Sequence, residues 1–207
     1  VDQVSYDSCA AAATGPAGTV FVPPVFLVGM MGAGKTTIGR GLARALSRQF
    51  LDVDLVLEAR CGVRVPTIFE LEGEAGFRRR ETHALDECSR ISGVVLATGG
   101  GAVLAEENRR MLQQRGTVVY LRAKAEELYQ RTRYDRNRPL LQTADPLGRI
   151  TELLRQREPL YEEIADLVVD TGKVSVARLV GRILPMLATC NKQVRPPAAD
   201  LPPLECL

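Results

Sequence analysis

Val25-Phe26-Leu27-Val28-Gly29-Met30-Met31-Gly32-Ala33-Gly34-Lys35-Thr36 is the stretch on which the fold turns. Residues 29–36 spell G-x-x-x-x-G-K-[ST], a phosphate-binding loop. Glycines let such a loop turn tightly and aim its N–H groups inward at phosphate oxygens. Lys35 places an ammonium on the β- and γ-phosphates, and Thr36 offers a hydroxyl to Mg²⁺. Chance alone would give this pattern in about one per cent of chains this long, so the flanks matter. Before it, residues 25–28 are a short apolar run suited to a buried parallel strand. After it, Ile38, Leu42, Ala45 and Leu46 fall at helical spacing. Strand, glycine loop and helix follow in the required order, and the helix N-terminus adds its own partial positive charge.

Further apolar runs at 50–53, 94–97, 117–121 and 167–169 read as strands. Helical patterns lie between them, at 35–47, 54–61, 66–71, 74–90, 105–114, 124–133, 146–157 and 175–188. Strands alternating with helices predict an α/β protein whose parallel sheet is covered on both faces. Residues 20–190 read as a single domain. Residues 1–19, rich in Ala, Gly and Ser, and 191–207, rich in Pro, read as disordered flanks.

The chain has 207 residues and a net charge of +2, which gives no argument for nucleic acid or a membrane surface. No apolar run reaches the length of about 18 residues that a membrane helix needs. Asp2 and Asp7, with no Lys or Arg, argue against a targeting segment in residues 1–19. The five cysteines, Cys9, Cys61, Cys88, Cys190 and Cys206, form no CxxC pair. That count opposes a disulfide framework or zinc site and fits the cytoplasm.

The loop's neighbours carry the chemistry. In Phe50-Leu51-Asp52-Val53-Asp54, period-2 alternation puts both carboxylates on one face at a strand end. One could hold Mg²⁺ or its waters while the other handles a proton of the acceptor, or either could cap the next helix. The strand at 94–97 ends without an Asp, which moves the metal duty toward Asp52. It runs instead into Thr98-Gly99-Gly100-Gly101, where a ligand could approach bare backbone, or which could be a plain turn.

In Phe77-Arg78-Arg79-Arg80-Glu81, successive residues rotate by about 100°, so the three arginines cannot share a target. Arg131 to Arg138 packs four arginines into eight positions. Such a segment could close over a triphosphate; the rival, a nucleic-acid patch, lacks interleaved aromatics beyond Tyr134. Arg157 reads from spacing alone as a structural cation at a helix end, with Pro159 marking a break. His83, the one histidine, is assigned no chemistry.

Taken in chain order, Gly32-Ala33-Gly34-Lys35-Thr36-Thr37, Asp52-Val53-Asp54, Phe77-Arg78-Arg79, Gly99-Gly100-Gly101, Arg138-Pro139-Leu140-Leu141 and Arg157-Glu158-Pro159-Leu160-Tyr161 resemble shikimate kinase, over residues 24–188. The resemblance implies a three-layer α/β/α P-loop kinase fold with a five-stranded parallel sheet, a substrate-binding helical section near 53–81 and a lid near 132–145. It implies transfer of the γ-phosphate of ATP to the 3-hydroxyl of shikimate, with Mg²⁺, in a monomer. ATP would lie on Gly32, Ala33, Gly34, Lys35, Thr36 and Thr37, with Arg131 against adenine and Arg138 reaching the phosphates. Thr36 and Asp52 would hold the metal. Asp54 would bind the acceptor hydroxyls as the candidate base. Arg78 and Arg157 would grip the carboxylate, and Gly99, Gly100 and Gly101 would meet the acceptor by backbone. Lys35, Asp54 and Arg138 are thereby the expected catalytic set. Two alternatives stand beside this: a gluconate-type or nucleotide kinase, and a nucleotide-binding module without turnover.

Overall fold

The apolar run at the head of the decisive stretch is the centre of the sheet. In the computed structural model, which describes residues 22–135, 139–190, 192 and 194, β1 spans Val25–Val28. None of its four residues is more than 3% exposed. Burying each such side chain contributes about 1.5–3 kcal/mol.

The chain continues as α1 (Lys35–Leu46), β2 (Phe50–Asp52), α2 (Val53–Cys61), α3 (Val65–Cys88), β3 (Val95–Ala97), α4 (Glu106–Arg115) and β4 (Thr117–Arg122). It then forms α5 (Ala125–Thr132), α6 (Pro146–Ile164), β5 (Leu167–Asp170) and α7 (Val176–Thr189), with short 3₁₀ turns at Ala102–Leu104 and Pro139–Leu141. The five-stranded sheet runs β2-β3-β1-β4-β5, and every pairing is parallel.

Strand order decides where the helices go. The connection from β1 to β2 moves one way across the sheet; those from β3 to β4 and from β4 to β5 move the other way. Right-handed crossovers then place their helices on opposite faces. Accordingly α1 packs on β1, β2 and β3 and against α7, whereas α4 and α6 pack on β4 and against each other. The reversal lies beside β1, so its carboxyl end opens onto a crevice, the usual ligand position in such sheets. On the α1 face the fit is close: a methyl group at Gly39 would run into the Phe50 ring.

The strand and helix expectations hold apart from one helix end. Helix α3 is one span but contains a break at Gly73 (φ 68°, ψ 179°), matching the expected gap between 66–71 and 74–90. Pro159, by contrast, does not end its helix: α6 continues through it to Ile164. A proline inside a helix costs about 3 kcal/mol. Here Tyr161 and Ile164, 0% and 2% exposed, lie beyond it and are buried in the core, which offsets that cost. Among the described residues no helix is long and apolar enough to cross a membrane. The flanks 1–19 and most of 191–207 lie outside the described residues. Lys192 is described and pairs with Asp166 at 2.6 Å.

Candidate active site

The phosphate loop leaves β1 through three residues with left-handed backbone, Gly29, Gly32 and Gly34 (φ 138°, 83° and 94°). Side chains strain such angles, so glycine is needed for the turn. Gly34 is the N-cap of α1, which aims the helix N-terminus into the crevice. Lys35 Nζ donates to the carbonyls of Gly29 (2.7 Å) and Met30 (3.0 Å), folding the ammonium over its own loop. Gly32, Gly34, Lys35, Thr36, Thr37, Asp52, Asp54 and Arg131 all line this pocket. Ala33 is not among the lining residues. It is 1% exposed and its amide donates within the loop to Met30 O at 3.1 Å, so its methyl anchors the loop in the core.

Asp52 uses its two carboxylate oxygens differently. One carboxylate oxygen caps α2 by accepting from the Asp54 amide (3.1 Å). The other accepts from the Thr36 hydroxyl at 2.6 Å. The strand stops at Asp52, and Asp54 sits in the first turn of α2 rather than on the strand. The shared face predicted from period-2 alternation is therefore reached by a different route, with Val53 buried between the two acids. Two hard oxygen donors side by side suit Mg²⁺, which takes one or two protein oxygens and leaves the rest to water and phosphate. Arg131 donates to Gly32 O (3.3 Å), to Thr171 Oγ1 (3.1 Å) and to Gly172 O, tying α5 to the loops on either side of the pocket.

A second pocket adjoins the first. Met31, Asp54 and Gly100 line both. Gly99, Gly101, Arg78 and Arg157 line the second, with Phe69, Phe77, Glu81 and Leu140 among the rest of its wall. The triple glycine is demanded by this packing: a side chain at Gly99 would strike the Glu81 carboxylate, and one at Gly101 the Arg78 guanidinium. Helical rotation separates the arginines as expected. Arg78 faces the pocket, whereas Arg80 pairs with Glu72 on the outside.

Arg78 donates to Glu81 (2.7 Å) and Glu74 (3.0 Å). Burial pulls its pKa down, but Glu81 and then Glu74 more than restore it. Arg157 is 3% exposed, donates to Gly100 O at 3.3 Å, and leaves its buried Nε without a partner. Burial lowers its pKa, yet an arginine keeps its charge. Two guanidinium groups converging on one pocket, with donors to spare, call for an anion.

Arg138 lies outside the described residues, as does the middle of the expected lid. His83 is mid-helix and largely exposed, 3.5 Å from Glu87.

Glu81 is the residue that sequence reading missed. The i, i+3 spacing from Arg78 was a usable signal, since such positions are neighbours on a helix. Its side chain is wholly buried, and burial raises its pKa against the opposing pull of Arg78. The folded state thus holds this proton more tightly than the unfolded chain, whose value is near 4.5. Stability linked to Glu81 is full below that value and declines as pH rises through the raised folded pKa. Urea unfolding should show wild type losing stability relative to Glu81→Gln as pH rises above the unfolded value of 4.5. A difference that does not change with pH would remove Glu81 as a perturbed group.

Comparison with known proteins agrees with this geometry. A profile of the family described as "Shikimate kinase" matches residues 31–188. The shikimate kinase of Bordetella avium is 65% identical over 171 residues, covering 83% of this chain and 82% of that protein. The solved shikimate kinase of Acinetobacter baumannii, in complex with shikimate, superposes with a TM-score of 0.80 at 46% identity, over 83% of this chain and 96% of that one. A gluconokinase from Sinorhizobium meliloti is similar in fold alone, with a TM-score of 0.56 at 17% identity over 81% of this chain and 93% of its own.

Proposed function

The chain belongs to the shikimate kinase family, and from that premise we propose that it transfers the γ-phosphate of ATP to the 3-hydroxyl of shikimate, giving shikimate 3-phosphate and ADP. This is a step in aromatic amino acid biosynthesis. The observation that carries the reading is the shared wall. Asp54 lines both the phosphate-loop pocket and the arginine-walled pocket, so one carboxylate can reach an acceptor hydroxyl next to a terminal phosphate.

Each residue then has a task. Lys35 and the α1 N-terminus meet the β- and γ-phosphates and stabilise charge that grows during transfer. Thr36 Oγ1 and the Asp52 carboxylate would hold Mg²⁺, directly or through water. When bound, the ion neutralises phosphate charge and aligns its oxygens. Arg131 lies against the base, and Arg138 reaches the phosphates, as the resemblance assigns. Arg78 and Arg157 take the acceptor's carboxylate, with the Gly99–Gly101 backbone behind it. Asp54 accepts from the acceptor hydroxyl and orients it. Phosphoryl transfer rests mostly on positioning and charge, so Asp54 need not be a strong base. Leu140 adds an apolar wall, and closing the pocket over both substrates would exclude water. The same reading makes the cytoplasm the compartment and the monomer the working unit.

The direct test is ADP release from Mg-ATP with and without shikimate. Strong shikimate-dependent release is expected. Release indifferent to shikimate would point to another acceptor or to bare hydrolysis, and ATP binding without release to a nucleotide-binding module.

A further inference from the structure

We propose that Tyr161 is a positioning residue for the acceptor's carboxylate, its hydroxyl locking the Gly100–Gly101 peptide and, through it, Arg157. The proposal rests on the reading that this pocket receives a carboxylate. Tyr161 follows Arg157 by one helical turn on α6 and is fully buried. It stands behind the pocket wall formed by Gly99, Gly100, Gly101 and Arg157.

Its hydroxyl donates to the Gly100 carbonyl. Arg157 donates to the same oxygen at 3.3 Å. A carbonyl has two lone pairs, so it can accept both. In a trans peptide the C=O and the following N–H point in opposite directions, and no described peptide bond is cis. Holding the Gly100 oxygen toward α6 therefore turns the Gly101 N–H the other way. It also keeps the negative end of that peptide from facing an incoming anion.

Three consecutive glycines have no side chains to resist a peptide flip. Something outside the turn has to hold it, and Tyr161 is built for that task. Its ring stacks on Tyr120 at 5.0 Å between centroids, with 23° between planes. The Tyr120 hydroxyl in turn donates to Glu158 at 3.4 Å. Burial pushes the Tyr161 phenol well above its ordinary pKa, so it remains an O–H donor. Arg157 has its buried Nε unpartnered, and its contacts with Gly100 O and with the Tyr161 hydroxyl aim it.

The test uses the whole chain and two acceptors, shikimate and its methyl ester, whose carboxyl group carries no charge. Y161F is expected to raise the KM for shikimate about tenfold, equivalent to about 1.4 kcal/mol. The KM for ATP should not move, and kcat should stay within about threefold. For the ester, the KM change should fall below about twofold, because the locked peptide and Arg157 then have no anion to meet. Equal changes for both acceptors, or none for shikimate, would overturn the proposal. Should Y161F not fold, Y120L removes the ring on which Tyr161 stacks but keeps its hydroxyl. That variant should raise the shikimate KM about threefold and leave the ester's unchanged; any other pattern overturns the proposal. R157K separates the two readings. If it leaves the shikimate KM unchanged, and the wild-type enzyme accepts the ester as well as the acid, the carboxylate assignment itself fails. If R157K raises that KM and Y161F does not, only the role of Tyr161 fails.

Discussion

Lys35→Ala should give a folded protein whose kcat for phosphoryl transfer is lower by about a thousandfold, the scale seen when one preorganised charge is removed from a transition state. The fold is expected to survive because the ammonium's hydrogen bonds go to the carbonyls of Gly29 and Met30 in its own loop. Lys35 lines a polar pocket in which water can replace it. The core beneath the loop is made by Val28, Met30, Ala33 and Ile38, none of which the substitution touches. The chemistry should not survive, because the phosphate-loop amides and the α1 N-terminus supply partial charges, while Lys35 supplies a full mobile one. The checks are shikimate-dependent ADP release and a melting curve on the same sample. Turnover within about tenfold of wild type would take Lys35 out of the mechanism.

Arg78→Lys is expected to lower kcat/KM for shikimate about a hundredfold while leaving the KM for ATP unchanged. Arg78 uses one arm of its fork on Glu81 and the other on Glu74, and its guanidinium lies 5.3 Å from the centroid of the Phe77 ring. A carboxylate entering the pocket can take the Glu74-facing arm while Glu81 keeps the other. Lysine has one small ammonium at the end of a flexible stem. It cannot hold the buried Glu81 and present a planar pair of donors together. Whichever it serves, a buried carboxylate goes short of a partner, which is costly. Steady-state kinetics with each substrate varied would decide it. Shikimate KM and kcat/KM near wild-type values would show that Arg78 does not bind the carboxylate.

The phosphate loop was legible because it is local. Its glycines, lysine and threonine act through backbone angles and one helix end, all set within a dozen residues. The parallel sheet was legible for a similar reason, since apolar runs separated by helical periods leave few other arrangements. Asp52 was legible only in part. Capping and metal binding appeared as rivals, yet one carboxylate has two oxygens, and here one faces the Asp54 amide and the other the Thr36 hydroxyl.

Local rules misled where packing outweighed them. Pro159 signals a helix end, but Tyr161 and Ile164 beyond it are held in the core. Arg157 looked like a structural cation at that end. It lies instead inside a continuing helix, buried beside the triple glycine. Tyr161 carried no signal of its own beyond standing four residues after Arg157, on the same helical face.

The order of elements, the parallel sheet and the position of the phosphate site were thus determined by the sequence itself, because each depends on periodicity and on backbone geometry over a few neighbouring residues. Which carboxylate is shut away from water and which hydroxyl meets the Gly100 carbonyl were decided only by the tertiary structure. Those contacts join residues as far apart as Gly100 and Tyr161. Their energies come from burial and from the pairing of charges out of water, and neither exists until the helices close over the sheet.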